Sequence, residues 1–274
     1  MSKLFRMLWV LILAVVIFYS IVCVYIYISQ DKMIYYPTDD VALTPEQVNL
    51  EYEEIFVKAG QLDSVCAWFF PKDINYLTNK VILFADGNAG NMSYRLESII
   101  FMNKLGANVL MFDYRGYWKS SGKPSETATY EDARACYDWL IQVKGFKPEN
   151  IVIFGRSLGG AVAIDLATKV KCGGLIVESS FTSAPEMAAH VFPFFPVRSL
   201  SKYKYDSIKK IKNVNCPVLV THSPDDEIIP FKMGQILFDE AKEPKTFVQI
   251  SGGHNDRDYL QDSTYRSAVS ALLK

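Results

Sequence analysis

The chain has 274 residues, of which 50% are hydrophobic and 14% aromatic, and its formal net charge is −1 at pH 7. This length allows one large domain with an appendage, and the apolar content suffices for a globular core. The balanced charge excludes a strongly basic protein and gives no electrostatic reason to expect nucleic acid as a partner.

An uncharged apolar segment comes first. It runs for 22 residues, from Met7 to Ile28, and as a helix it would extend about 30 Å, enough to cross the hydrocarbon core of a bilayer. Trp9 near one end and Tyr25 near the other stand where interfacial aromatic residues are expected. The alternatives are a cleaved signal peptide and a buried core helix, but the run exceeds the apolar region of a signal peptide and no small-residue cleavage site follows it. We therefore predict an uncleaved single-pass membrane anchor over residues 1–30.

The charges on either side of this segment bear on its orientation. Lys3 and Arg6 precede the span, whereas Lys32 follows it beside Asp31. Because flanks on the cytoplasmic side carry the excess of lysine and arginine, we predict a cytoplasmic N-terminus. The rest of the chain is then extracytoplasmic, in a periplasmic or lumenal compartment.

The remaining chain is interpreted as a polar linker, residues 31–50, followed by one domain, residues 51–274. Short β-branched and apolar runs that end at turn residues predict strands at Glu51–Lys58, Ser64–Phe70, Lys80–Ala85, Asn108–Phe112, Ile151–Phe154, Gly174–Glu178, Pro217–His222 and Thr246–Ile250. Helical spacing predicts helices at residues 92–104, Thr127–Lys144, Ala161–Ala167, 231–241 and Arg257–Leu273. The first two strands form an antiparallel pair. The later alternation predicts an α/β fold, a mostly parallel sheet with helices on both faces, whose strand ends share one ligand-binding edge.

The motif Gly155-Arg156-Ser157-Leu158-Gly159 stands between a predicted strand and a predicted helix. This strand–tight turn–helix setting is typical of a serine nucleophile held in a strained backbone conformation. Residues packed around such a turn must be small, and Gly155, Gly159 and Gly160 meet that requirement. The alternative is a glycine-rich turn with an incidental serine.

A serine hydroxyl needs a neighbouring imidazole to take its proton and a carboxylate to orient that imidazole. His254 is the predicted base, because it lies on a glycine-flanked loop after the last predicted strand. His190 lies in a Phe/Pro-rich segment, and His222 stands too close in sequence to the acidic loop that follows it. The chain order of serine, acid and histidine is that of α/β-hydrolases.

Three neighbouring residues compete for the role of the acid. Asp225 and Asp226 are adjacent, so at most one can point at His254, and Glu227 is a third candidate. We select Asp226.

An oxyanion hole requires two backbone N–H donors near the serine. Leu158 supplies one, because it follows the nucleophile at a helix N-terminus. The loop after Lys80–Ala85 contains Gly87 and Asn88, and we assign the second donor to the Asn88 N–H. The alternative for this loop is an ordinary turn, since its residues are common in turns.

The cysteines do not form a metal-binding pattern. Cys23 lies in the apolar segment, and the others, Cys66, Cys136, Cys172 and Cys216, are scattered without Cys-x-x-Cys spacing. We predict buried free thiols, no structural disulfides, and neither a metal nor a cofactor.

Residues 51–274 resemble a known family in the order and spacing of several motifs. These are Gly87-Asn88-Ala89-Gly90-Asn91, Asp113-Tyr114-Arg115-Gly116-Tyr117, Gly122-Lys123-Pro124-Ser125-Glu126, Gly155-Arg156-Ser157-Leu158-Gly159-Gly160, Glu178-Ser179-Ser180-Phe181-Thr182-Ser183, Cys216-Pro217-Val218-Leu219 and Gly252-Gly253-His254-Asn255-Asp256. The chain resembles the α/β-hydrolase-domain serine hydrolases, in the branch of membrane-associated lysophospholipases, protein depalmitoylases and serine aminopeptidase-like enzymes. The family pattern His-Gly-x-x-Asp-Glu-x-x-Pro maps onto residues 222–230 and implies that Asp226 is the acid.

The resemblance has two departures. Asp86 stands where the family usually has histidine, and a carboxylate there would oppose the charge of an oxyanion unless it is paired. Trp118 stands where the family usually has glycine. The resemblance also implies a short cap at residues 179–206, whose apolar Val191–Val197 is either packing over the sheet or a wall for an acyl chain that touches the bilayer.

The sequence therefore predicts a membrane-anchored serine hydrolase of acyl esters or thioesters, such as lysophospholipid-like lipids. Ser157 would be the nucleophile, His254 the base and Asp226 its orienting acid, and the Leu158 and Asn88 N–H groups would form the oxyanion hole. One alternative is a serine aminopeptidase or another peptidase on the same fold. The other is a binding protein with little activity, for which Asp86 is the only support.

Overall fold

The computed structural model describes residues 3–72 and 79–274, so residues 1 and 2 of the predicted anchor and 73–78 of the predicted domain lie outside the described residues. The strands are β1 (Tyr36–Pro37), β2 (Glu53–Ala59), β3 (Asp63–Phe70), β4 (Val81–Ala85), β5 (Ala89–Gly90), β6 (Asn108–Phe112), β7 (Ile151–Arg156), β8 (Gly174–Glu178), β9 (Val218–His222) and β10 (Lys245–Gln249). The α-helices are α1 (Lys3–Ile28), α2 (Gln30–Ile34), α3 (Leu96–Lys104), α4 (Glu126–Gln142), α5 (Leu158–Ala167), α6 (Ala184–Val191), α7 (Val197–Leu200), α8 (Ser207–Ile211), α9 (Phe231–Glu240) and α10 (Ser263–Leu272). Short 3₁₀ turns occur at Pro45–Val48, Met92–Arg95, Pro148–Asn150 and Asp258–Gln261.

Eight of these strands form one sheet in the order β10-β9-β8-β7-β4-β6-β3-β2. The pairs β2–β3 and β3–β6 are antiparallel, and all the other neighbours are parallel. The predicted mostly parallel sheet with an antiparallel opening pair is therefore confirmed. Strands β4, β7, β8 and β9 are buried along their whole length, which is why they read in the sequence as continuous apolar runs.

The core lies on both faces of this sheet. One face packs against α4, α5, α8 and α9 through side chains such as Leu140, Val162 and Leu237. The other packs against α3 and α10 through Ile99 and Val269. The predicted covering of the sheet by helices on both faces is confirmed.

The chain order reverses at β4, because β6 lies on one side of β4 and β7 on the other. Crevices for ligands form at such a switch point, outside the carboxyl ends of the strands. The loop after β4 and the loop after β7, which contain Asn88 and Ser157, both start at this crevice.

Two predicted helices differ from the observed ones. The segment at residues 92–104 begins as a 3₁₀ turn and becomes α-helical only at Leu96. The final segment is broken at Asp262, whose extended backbone and side chain cap α10 by accepting from the Thr264 and Tyr265 N–H groups. Aspartate is a preferred N-cap residue, so it favours the start of a new helix at this position.

The N-terminal segment is one continuous helix, α1, long and apolar enough to cross a membrane. Most of its side chains are exposed, but Ile26 is only 6% exposed, Val22 and Cys23 are half-buried, and Tyr19 contacts Phe194 and Phe195. The polar stretch that follows is held against the domain. Strand β1 pairs with β5, and the Asn91 side chain donates to the carbonyls of Thr38 and Asp40. The division of the chain at residues 30 and 50 stays a prediction.

Candidate active site

Ser157 forms the sharp turn between β7 and α5. Its backbone has φ 55° and ψ −120°, and a residue other than glycine adopts this combination of a positive φ and a negative ψ only under strain. A Cβ on Gly155 would collide with the backbone of Gly159, and one on Gly159 would collide with the backbone of Ala85. A Cβ on Gly160 would collide with the side chain of Ser180. The prediction that these three glycines must be small is confirmed.

Ser157, His254 and Asp226 form a hydrogen-bonded chain. The Ser157 Oγ lies 3.2 Å from the His254 Nε2, and the His254 Nδ1 lies 2.8 Å from the Asp226 Oδ2. All three residues are buried. With the proton assigned to Nδ1, the imidazole donates to the carboxylate and accepts from the serine hydroxyl.

Asp226 is held in an anion-stabilising turn. Its Oδ1 accepts hydrogen bonds from the Ile228 and Ile229 N–H groups at 3.0 and 2.7 Å. Burial alone would raise the pKa of this carboxyl, but hydrogen bonds from His222, His254 and the Ile229 N–H hold it well below its usual range. Asp226 is therefore an anion at neutral pH, as required of a group that stabilises an imidazolium.

His222, which was rejected as the base from its position in the sequence, contacts the acid instead. Its Nε2 lies 2.9 Å from the Ile229 carbonyl oxygen and 3.3 Å from the Asp226 Oδ2. The ring is fully buried, and its Nδ1 has no hydrogen-bond partner among the described residues. His222 therefore fixes the acidic loop.

The other candidates lie elsewhere. Asp225 is exposed, with its N–H bonded to the Ser223 hydroxyl. Glu227 accepts the backbone N–H of His254 at 2.8 Å, so it holds the histidine loop rather than the imidazole. His190 is exposed at the end of α6.

A buried ionic network that the sequence analysis missed also holds the histidine loop. The Arg156 guanidinium donates to the His254 carbonyl and lies 3.4 Å from the Glu178 carboxylate. Tyr259 and Tyr265 each donate to Glu178 at 2.6 Å. Burial, and then the Glu178 charge, raises the pKa of both phenols well above its usual value, so both stay protonated donors. A sequence signal existed, because an arginine and a glutamate at the ends of two adjacent buried strands need partners.

The residues of the predicted oxyanion donors, Asn88 and Leu158, line the same cavity as Ser157. Leu158 is the first residue of α5, where backbone N–H groups have no partner within the helix. The Asn88 carbonyl accepts from the Tyr36 N–H at 2.9 Å and from the Tyr117 hydroxyl at 2.7 Å, and its side-chain amide donates to the Ile34 carbonyl at 2.6 Å. The chain segment that follows α1 thus fixes the Asn88 loop.

The carboxylate of Asp86 is paired. The Arg95 Nε lies 2.7 Å from one of its oxygens, and both side chains are buried. The pair neutralises the charge whose position beside the oxyanion loop seemed unfavourable. Trp118 adopts φ 43°, the left-handed conformation that suits the glycine usual in the family, and its ring packs edge-on against Trp68.

A cavity of about 330 Å³ opens above Ser157. Its lining is apolar, with side chains from the cap such as Met187, Val191 and Phe192. Residues of α1 and α2, Ile26, Gln30, Met33 and Ile34, also line it. None of the described residues that line it is an Asp, Glu, Lys, Arg or His.

The cysteines are free thiols, and the Cys172 and Cys216 sulfur atoms lie 3.2 Å apart. Over residues 3–72 and 79–274, no cluster of three or more His, Cys, Asp or Glu is arranged to hold a metal ion.

Comparisons with known proteins agree with this architecture. The model of the alpha/beta hydrolase fold matches residues 80–196. The chain is 35% identical over 253 residues to Rv2307c, an uncharacterized protein of Mycobacterium tuberculosis, covering 92% of this chain and 90% of that protein. It is 36% identical over 256 residues to the alpha/beta hydrolase domain-containing protein WAV2 of Arabidopsis thaliana, covering 83% and 82%. Among solved structures, the Pyrococcus furiosus esterase Pf2001 matches with a TM-score of 0.71 at 17% identity, covering 88% of this chain and 96% of the esterase.

Proposed function

Because the chain belongs to the α/β-hydrolase family and is a hydrolase, we propose that it is a membrane-anchored serine hydrolase of acyl esters or thioesters. The observation that carries the proposal is the hydrogen-bonded chain from Ser157 through His254 to Asp226 at the base of an uncharged apolar cavity. An acyl chain in this cavity would bring its carbonyl carbon to the serine.

The reaction proceeds through an acyl-enzyme. His254 Nε2 takes the Ser157 proton as the Oγ attacks the acyl carbonyl, and the Leu158 and Asn88 N–H groups stabilise the resulting oxyanion. The bond to the alcohol or thiol breaks, and the leaving group receives the proton from the imidazolium. Water, deprotonated by His254, then attacks the acyl-enzyme, and its collapse releases the carboxylic acid and restores the serine.

The character of the cavity favours this reaction over an aminopeptidase. An aminopeptidase must bind a protonated α-amino group, which calls for a carboxylate or several polar acceptors. The described lining carries no charged side chain, and its surface is mostly apolar. The pairing of Asp86 with Arg95 removes the support for an inactive binding protein, because the oxyanion hole no longer faces an unpaired negative charge.

The membrane anchor is the part of this proposal that concerns α1. Its length and composition support a transmembrane helix over residues 7–28. The contacts of α1 with the rest of the chain support retention of the helix rather than its removal as a signal peptide, because cleavage after the helix would remove Ile26 from the cavity lining and the hydrogen bond from Tyr19 to the Phe194 carbonyl.

The nucleophile is tested by covalent labelling of the full-length protein in membranes with a fluorophosphonate probe. We expect strong labelling of the wild type and none of Ser157→Ala, because only the activated hydroxyl reacts. Ser267→Ala, which changes an exposed serine on α10, is the matched control and should label like the wild type. Labelling of Ser157→Ala at the wild-type level would refute the assignment.

A further inference from the structure

We infer that the anchor is part of the substrate-binding site. In this assignment, which rests on the proposed function, Ile26 of α1 and the α2 residues Gln30, Met33 and Ile34 form part of the lining of the acyl cavity, and the cavity opens toward the bilayer. The substrate is then an ester or thioester with one long acyl chain that already resides in the membrane.

Helix α1 is fixed to the cap through Tyr19. The Tyr19 hydroxyl donates to the Phe194 carbonyl at 3.1 Å, and the Tyr19 ring stacks on the Phe195 ring with centroids 5.3 Å apart. A helix that served only as a flexible tether would need no such contacts with the domain it carries.

Directly after α1, polar side chains of α2 form hydrogen bonds with the cap. Gln30 is buried, and its side-chain amide donates to the Leu200 carbonyl at 3.0 Å and accepts from the Lys202 N–H at 2.8 Å. Asp31 accepts from the Tyr203 hydroxyl at 2.7 Å. Since a buried amide without partners is costly, these bonds favour one position of the helix end relative to the cap.

The cavity is lined by residues of α1 and α2 together with residues of the cap. Ile26, Met33 and Ile34 line the same cavity as the cap residues Met187 and Phe192 and the nucleophile candidate Ser157. Among the described residues of α1, Ile26 is the fully buried one, and it also lines the cavity. The volume of about 330 Å³ is at the low end of ligand pockets, and we therefore assign one acyl chain rather than two.

The depth of Tyr19 along α1 indicates that the mouth of this cavity lies at the bilayer. Tyr19 lies nine residues before Ile28, about 13 Å deeper along the apolar helix. Phe194 and Phe195, the cap residues that contact Tyr19, are therefore at the depth of the proposed span, and Phe194 is 85% exposed in the protein alone. Hydrocarbon would cover this apolar tip, and an acyl chain entering between α1 and α6 would reach Ser157 without crossing water.

The test is the dependence of hydrolysis on acyl length, using full-length protein in detergent and p-nitrophenyl esters from acetate to palmitate. We expect the larger side chain of Ile26→Trp to occupy part of the cavity and to lower kcat/KM for the long esters by about tenfold or more relative to acetate. The matched control is Ile28→Trp, on the same helix but 66% exposed, which should keep the wild-type profile.

Met33→Trp, on the same wall but in α2, provides a second variant should Ile26→Trp fail to fold. Fluorophosphonate labelling reports whether each variant retains a working nucleophile. Labelled Ile26→Trp and Met33→Trp proteins with the wild-type length profile would overturn the inference while leaving the proposed hydrolase intact. A wild type that neither labels nor hydrolyses any ester would instead contradict the proposed function itself.

Discussion

Three consecutive acidic residues near the candidate site have three different environments. Asp225 is exposed, Asp226 contacts the imidazole of His254, and Glu227 contacts its backbone. The lowered pKa of Asp226 keeps this carboxyl ionised below the usual value for aspartate of about 3.9. Its contribution to stability is therefore present above about pH 4 and is lost as the pH falls through the lower pKa of the folded state.

We expect Asp226→Asn to lower kcat for a soluble ester by about 10⁴-fold, because the amide favours the wrong tautomer of His254 and no longer stabilises the imidazolium. Asp225→Asn, the neighbouring isosteric change at an exposed position, should leave kcat unchanged. Steady-state kinetics of the two variants at pH 7 provide the measurement. Equal effects of the two substitutions would mean that the acid has been misassigned.

The residues that could be predicted from the sequence are those with a local signature. Ser157 stands in a recognisable turn, and the position of His254 on a glycine-flanked loop identified it among three histidines. The position of Arg156 and Glu178 at the ends of buried strands indicates that each needs a partner but not which residue it is, because the partners are distant in the chain. Arg156 contacts a residue 98 positions away, and Glu178 contacts Tyr265 at 87 positions. Contacts at these separations arise from strand order, which one sequence without relatives does not specify.

At the scale of elements, the eight strands of the main sheet were predictable within one or two residues, and the central ones, β4, β7, β8 and β9, were the clearest because buried parallel strands are mostly apolar. The attachment of the linker was not. Residues 38–44 have no helix or strand, yet β1 just before them pairs with β5 and the Tyr36 N–H bonds to the Asn88 carbonyl. These are backbone hydrogen bonds, which leave no trace in the pattern of side chains.

This attachment predicts that the Asn88 side chain positions the oxyanion loop. We expect Asn88→Ala, which removes the hydrogen bond to the Ile34 carbonyl, to lower kcat by about 10- to 100-fold with little change in KM, because the donor N–H remains but its position is less fixed. Asn91→Ala, which frees Thr38 and Asp40 instead, should lower thermal stability and leave kcat near the wild-type value. Ester kinetics and thermal unfolding separate the two effects. Unchanged kcat in Asn88→Ala would exclude the positioning role.

At the scale of the whole molecule, the family and the α/β-hydrolase fold predicted from the sequence are confirmed. Membrane orientation depends only on a few flanking charges, Lys3 and Arg6 against Asp31 and Lys32. From them we propose an extracytoplasmic domain.

We therefore expect a protease added to sealed right-side-out vesicles to digest the domain, leaving a protected fragment that contains α1. The same treatment of inverted vesicles, in which the extracytoplasmic side is enclosed, should spare the domain. Immunoblotting with a tag at each end of the chain follows both fragments. Protection in the right-side-out vesicles would place the domain in the cytoplasm instead.

The contact between Tyr19 and the cap has a consequence for the lipid bilayer around the protein. In the proposed arrangement a single helix both crosses the bilayer and borders the cavity, so the mouth of the cavity would open onto one leaflet, and lipids of the opposite leaflet would be out of reach until they cross over. Deacylation by such an enzyme depletes one leaflet of its substrate while the other keeps it. An anchor of this kind would make the hydrolase a source of transbilayer asymmetry, whichever head group its substrate carries.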